Sequence, residues 1–321
     1  MRKIWQHTAV FFVCIFMLAP KVLAEALIPV GEVIGIQLAD GSVRVAAFDE
    51  SLGDNAKSAG LQVGDRILSV DSKKITCVQD IRYALERSDG TVQLAVLREG
   101  KEKRLTMSPK VTGDGPKLGI YLKQGITGVG TVTWYDPETG DFGALGHGVN
   151  DPDGSRLVME QGNVYKARVE GVNKGQAGQP GQLMGAMTES VPLGELSKNT
   201  RQGIFGKTQT GWMGESLDLM KREEVKTGPA VIRSTVDDSR VQEYSVEILK
   251  IYPNSDSSGR NMLIKVTDPR LLETTGGIVQ GMSGSPIIQN GKLIGAVTHV
   301  LVNDPTMGYG IFIENMLDAV A

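Results

Sequence analysis

The apolar positions of this chain follow three regimes. Ala9–Ala19 (AVFFVCIFMLA) is a short unbroken apolar run behind Arg2 and Lys3. Between about residues 30 and 110 the pattern changes every few residues. Gly35-Ile36-Gln37-Leu38, Ser42–Ala47 and Thr91–Arg98 alternate with the period of two expected of half-buried strands. Cys77–Arg87 instead places Val78, Ile81, Ala84 and Leu85 at helical spacing. From residue 117 the chain is strand-rich and punctuated by glycine. Strands are predicted at Gly128–Trp134, Gly143–Gly148, Asn163–Val172, Gly228–Ser234, Gln242–Ile251 and Met262–Val266, and short helices at Thr188–Lys198 and Gly214–Glu224. Turn formers concentrate in Ser108–Pro116, which reads as a linker. The expectation is a mainly β chain: a small α/β module, then a β-barrel or pair of barrels.

The densest chemical signal is Gly281-Met282-Ser283-Gly284-Ser285-Pro286, a G-x-S-G-x-P pattern. Glycine at 281 lets the backbone turn so that the N–H groups of Gly281 and Ser283 aim at one point, an oxyanion hole beside a serine nucleophile. Pro286 feeds a strand, Asn290-Gly291 is a two-residue hairpin signal, and Lys292–Val300 is the returning strand. A serine nucleophile needs a base. Of the three histidines, His147 sits between small residues in Ala144-Leu145-Gly146-His147-Gly148 and is the candidate. His299 lies 16 positions after Ser283 on the returning strand and is assigned, with Thr298 and Val300, to the substrate-binding wall. The third role calls for a desolvated carboxylate. Asp268, directly after the apolar strand Met262–Val266, is preferred to Asp151 and Asp304, whose N-D-P contexts are explained by turns.

Composition narrows the alternatives. Forty glycines in 321 residues favour a turn-rich β protein over a helical bundle. A net charge of −3 gives no reason to expect nucleic-acid binding. Two cysteines, Cys14 and Cys77, and no Cys/His cluster make a disulfide framework or a metal site unexpected, and no cofactor is implied. Residues 1–25 have the layout of a secretory signal: basic start, short apolar core, then Val22-Leu23-Ala24. Retention as a membrane anchor is the other reading of that segment. Either one puts the body of the protein outside the cytoplasm.

Three resemblances sharpen this picture. Gly276–Val300 resembles the nucleophile loop and following hairpin of chymotrypsin-like serine peptidases. The run A-x-x-A-G-L-x-x-G-D-x-I-L-x-V, from Ala56 to Val70, resembles a PDZ domain spanning residues 30–110. That resemblance implies a peptide groove edged by Gly35, Ile36, Gln37 and Leu38 and walled by the Cys77–Arg87 helix. Finally, A-L-G-H-G at His147, the stretch Ile264–Pro286 and Gly295–Thr306 closely resemble the stage IV sporulation protein B peptidase family. It implies a peptidase domain over 117–321 with His147, Asp268 and Ser283 as triad. It also implies self-cleavage between Ala24 and about Glu32, and location in the intermembrane space of the forespore. The implied partners are the chain itself and a membrane-bound sporulation regulator. Cutting that regulator would trigger intramembrane processing of a sigma-factor precursor. Two other functions fit the domain content: a non-catalytic PDZ and barrel binding protein, or a general extracytoplasmic quality-control protease.

Overall fold

A computed structural model describes residues 26–151, 154–237, 240–253 and 259–320. The N-terminal apolar run, His7, Cys14 and the expected processing site at Ala24 lie outside those residues. Among the described residues no helix is long and apolar enough to cross a membrane.

The first third holds β1 (Ala26–Pro29), β2 (Val33–Phe48), α1 (Asp54–Ser58), β3 (Arg66–Val70), β4 (Lys73–Lys74), α2 (Val78–Glu86), β5 (Val92–Arg98) and β6 (Lys101–Met107). The helical spacing seen in the sequence is realised in α2, which buries Ile81, Ala84 and Leu85. Asp80 at its third position takes the N–H groups of Thr76 and Cys77, donors the first turn would otherwise leave unpaired. The helix closes a small core with Val43, Val45, Ile67, Leu94 and Val96. The expected linker is instead a hairpin, β7 (Lys110–Thr112) with β8 (Gly115–Lys117).

β9 (Ile120–Tyr135) follows and organises the molecule. With β10 (Asp141–Ala144), β11 (Gln161–Asn173), β13 (Gly194–Thr200) and β14 (Gly203–Thr208) it builds a first barrel in the order β9-β10-β14-β13-β11-β2, closed by the β2–β9 pairing. β12 (Gln182–Met187) hangs from β11, and β15 (Leu217–Asp218) pairs with β1. The helices predicted at Thr188–Lys198 and Gly214–Glu224 are absent. Gly194 and Leu196 are buried while Glu195 and Ser197 are exposed, a period-two burial that tertiary pairing imposed on a weakly periodic sequence.

β16 (Gly228–Thr235), β17 (Val241–Ile251), β18 (Met262–Val266), β19 (Pro286–Gln289), β20 (Lys292–Leu301) and β21 (Asp304–Phe312) form a second, closed barrel. Helix α3 (Pro269–Thr275) follows β18 and α4 (Ile313–Asp318) ends the described chain. Ile232, Ile264, Ile287 and Phe312 fill this barrel and are at most 1% exposed. Truncating one of them to alanine should cost about 2–5 kcal/mol. The expected hairpin turn is present, with φ +52 at Asn290 and +73 at Gly291.

The modules do not divide where the sequence suggests. Both β2 and β9 run through the PDZ module and the first barrel, with the register shifting between Leu38 and Val43. Val43 and Val45 belong to the PDZ core, whereas Ile34, Ile36 and Leu38 belong to the barrel core with Phe142 and Leu145.

Candidate active site

Ser283 and His147 come from opposite barrels and line one open cleft of about 900 Å³. His147 follows β10, on a turn whose backbone is in the left-handed region at Leu145 (φ +70). Ser283 follows α3 and precedes β19. Gly284 beside it must be glycine: its φ is +99, and a Cβ there would lie 2.0 Å from the carbonyl oxygen of Thr131. Gly281, Thr298, His299 and Val300 line the same cleft.

His147 Nδ1 lies 2.9 Å from the carbonyl oxygen of Gly148. A carbonyl only accepts, so Nδ1 carries the proton and Nε2 keeps its lone pair, the form a general base requires. Burial pulls the His147 pKa below 6.5, and the Gly148 carbonyl opposes that pull. His299 packs against it with ring centroids 5.1 Å apart. Burial, then the charges of His147 and Arg260, push His299 down to about 4, so it is neutral at pH 7. Ser283 Oγ donates to the carbonyl of Thr298 at 2.7 Å. The hydroxyl is therefore engaged with the Thr298 carbonyl rather than with the imidazole.

Two expectations are corrected. The expected triad is not assembled, because Asp268 is not brought to His147. Its carboxylate caps α3 through Arg270 N (2.9 Å), accepts from Ser245 N (3.2 Å) and is paired with the Arg270 guanidinium (2.9 Å). These contacts hold its pKa down to about 2, the Arg270 side chain contributing most. A strand end followed by Asp-Pro is also the signature of a helix N-cap, and that competing use of the carboxylate prevails. No carboxylate acts on His147 among the described residues, and the carbonyl of Gly148 fixes its tautomer instead.

The peptide groove is the second correction. Gly35, Ile36, Gln37 and Leu38 cannot accept an added strand, because one edge pairs with Tyr165–Gly162 of β11 and the other with Val129–Ile126 of β9. Ile36 and Leu38 line the catalytic cleft instead. The groove beside α2 lies elsewhere, a cavity of about 600 Å³ between Val78, Ile81 and Leu85 of the helix and Leu118–Leu122. Over Ile120–Gln124, β2 is the only strand paired with β9 among the described residues, and no described strand lies on the edge facing α2. The signal for it was present as Leu118-Gly119-Ile120, apolar–glycine–apolar at the start of a strand. Gly119 has φ +71, and a Cβ there would meet Leu52 O at 2.2 Å.

A serine on one barrel and a histidine on the other face a shared cleft beside a PDZ module, which defines a two-barrel architecture with a candidate hydrolytic cleft. Residues 115–317 match the SpoIVB peptidase S55 family and residues 33–108 match the PDZ domain. The chain belongs to the SpoIVB peptidase S55 family. A protein of Rhizobium meliloti (strain 1021) named as a zinc metalloprotease is 32% identical over 144 residues, 44% of this chain and 35% of that protein. A second from Mesorhizobium japonicum is 36% identical over 75 residues, 23% of this chain and 20% of that protein. The chain thus spans about a third or less of those relatives. Among solved structures, the Rv3671c protease of M. tuberculosis in its active form is 14% identical, with 73% of this chain and 80% of that chain covered at a TM-score of 0.36. Its inactive form is 15% identical, with 59% and 81% covered at 0.35.

Proposed function

We propose that this chain is a sporulation endopeptidase, exported across or anchored to the forespore membrane, that cleaves itself and a membrane-bound regulator and so triggers intramembrane processing of a sigma-factor precursor. The observation that supports its chemistry is the meeting of Ser283 and His147, from opposite barrels, in one cleft. Ser283 Oγ attacks the peptide carbonyl while His147 Nε2 takes its proton. The N–H groups of Gly281 and Ser283 hold the oxyanion. The C–N bond breaks as His147 returns the proton to the leaving amine, and water then releases the acyl group by the same relay. The groove between α2 and the edge of β9 takes an extended peptide as an added strand, with apolar side chains against Ile81 and Leu85.

Self-cleavage was expected between Ala24 and Glu32. Ala26–Pro29 is paired as β1, and Leu27 is fully buried. The susceptible bond on this reading precedes Ala26.

The deciding experiment is self-processing of purified full-length chain beside Ser283→Ala, read by intact mass. Shortening of the wild type alone supports the reading; equal shortening of both refutes Ser283 as nucleophile. A second reading, a PDZ and barrel protein that binds without cutting, is favoured by the Ser283 hydroxyl resting on Thr298 and by a His147 with no carboxylate partner among the described residues. It predicts that neither chain shortens.

A further inference from the structure

An oxyanion hole works only if its two N–H groups point at the cleft before substrate arrives, and that direction is set by the peptide planes around them. In the nucleophile loop six consecutive carbonyls are held. Gln280 O accepts from Leu183 N at 2.8 Å, Met282 O from Ser285 N at 3.0 Å and Ser285 O from Val297 N at 2.9 Å. Gly281 O accepts from Thr131 Oγ1 at 2.8 Å, Ser283 O from Thr131 N at 3.0 Å and Gly284 O from Thr133 Oγ1 at 2.8 Å. The N–H groups of Gly281 and Ser283 share their peptide planes with the Gln280 and Met282 carbonyls, held by Leu183 and Ser285, and are taken by no protein acceptor among the described residues; Thr131 holds the plane that follows each of them.

Thr131 therefore holds two of the six carbonyls. Its own carbonyl accepts from Leu145 N at 3.2 Å, on the strained turn two residues before His147. Thr131 is fully buried, so no water competes for these bonds. We infer that Thr131 is a positioning residue for peptide hydrolysis: its hydroxyl orients the oxyanion loop, and its backbone locks that loop to the turn carrying the base. Thr133 extends the clamp by one carbonyl. Neither residue touches substrate.

The inference rests on the serine-peptidase reading, and the test separates the two. Full-length wild type, Thr131→Val, Thr131→Ser and Ser283→Ala are labelled with a fluorophosphonate probe, and the rate of covalent capture is followed with probe concentration and pH. Valine keeps the shape and the backbone bonds but removes the hydroxyl. Thr131→Val should lower the limiting capture rate on the order of tenfold to a hundredfold, less than or up to the loss of an oxyanion donor itself. The probe concentration for half-maximal rate should hold, as should the midpoint of the acidic limb, which belongs to His147. Thr131→Ser should recover to within a few-fold of wild type. Capture by Thr131→Val at the wild-type rate overturns the inference, as does a serine variant as slow as the valine one at equal thermal stability. If the wild type is captured no faster than Ser283→Ala, the peptidase reading falls, and with it the positioning role of Thr131.

Discussion

β9 does two different things at its two ends. From Ile120 to Gln124 its outer edge faces α2 across an open groove, and Tyr121 is 58% exposed. From Thr131 to Tyr135 its backbone and hydroxyls are committed to β1, β10, the nucleophile loop and the His147 turn. The first end is built to gain a partner, because an unpaired strand edge beside an apolar helix face is an invitation to a strand. The second is built to exclude change, because fully bonded buried backbone is costly to rearrange. A bulge between Leu38 and Val43 of its partner β2 separates the two. On the proposed function, adaptable recognition and rigid chemistry share one strand, kept apart by a change of register.

The largest effect that tests this contrast is loss of the chemistry. Ser283→Ala and His147→Ala should each lower peptide cleavage by several orders of magnitude, and the double variant should be little worse than either. A steady-state assay on a cleaved peptide measures this. Additive losses would mean that the two residues do not act as one unit.

At the open end, Ile81→Asp places a charge in the apolar wall of the groove. Binding of an apolar extended peptide, followed by fluorescence anisotropy, should weaken tenfold or more. Unchanged affinity would move the peptide site off this groove and remove the contrast between the two ends.

How much of this was legible beforehand follows the same division. Local chemistry was readable: the Gly281–Pro286 loop, the Asn290-Gly291 hairpin, the His147 turn and α2 each depend on neighbours in sequence. What could not be read was which strand edges tertiary pairing would use. Gly35–Leu38 has the composition of a groove edge, but the barrel takes both its sides. Leu118–Leu122 falls just after the expected linker Ser108–Pro116, yet its outer edge is left open. Thr131 and Thr133 gave no signal, since a threonine on a strand is ordinary and its meaning comes from a loop some 150 residues away. Asp268 sits on a pattern that serves equally a triad carboxylate and an N-cap, and only the position of Arg270 decides between them.

A smaller effect concerns pH. Burial depresses the His147 pKa, so the neutral base persists below the range of a free histidine. An imidazole titrating at 6.5 would be about one quarter neutral at pH 6. Cleavage at pH 6 should therefore retain well over a quarter of its plateau value, with the acidic midpoint of kcat/KM below 6.5. A midpoint above 6.5 would require an anionic group beside His147, and so a cleft that rearranges in the working enzyme.

The smallest expected effect is also the most discriminating. Asp268→Asn keeps a side chain that caps α3 well and removes only the charge. Arg270 is 61% exposed, so the ion pair is screened by solvent. Tm should fall by a few degrees at most. The sign with pH follows from a folded-state pKa of about 2 against 3.8. The stabilisation is fully present above 3.8 and is lost as pH falls through 2, so the gap in Tm between wild type and variant should be constant from pH 8 to pH 5 and close in strong acid. Cleavage by the folded variant should stay within a few-fold of wild type. A loss near ten-thousandfold, the scale expected when a triad carboxylate is removed, would mean that Asp268 leaves Arg270 and reaches His147 during turnover. The rigid end of β9 would then face a second barrel that moves, and the division between a yielding groove and a fixed cleft would have to be drawn elsewhere.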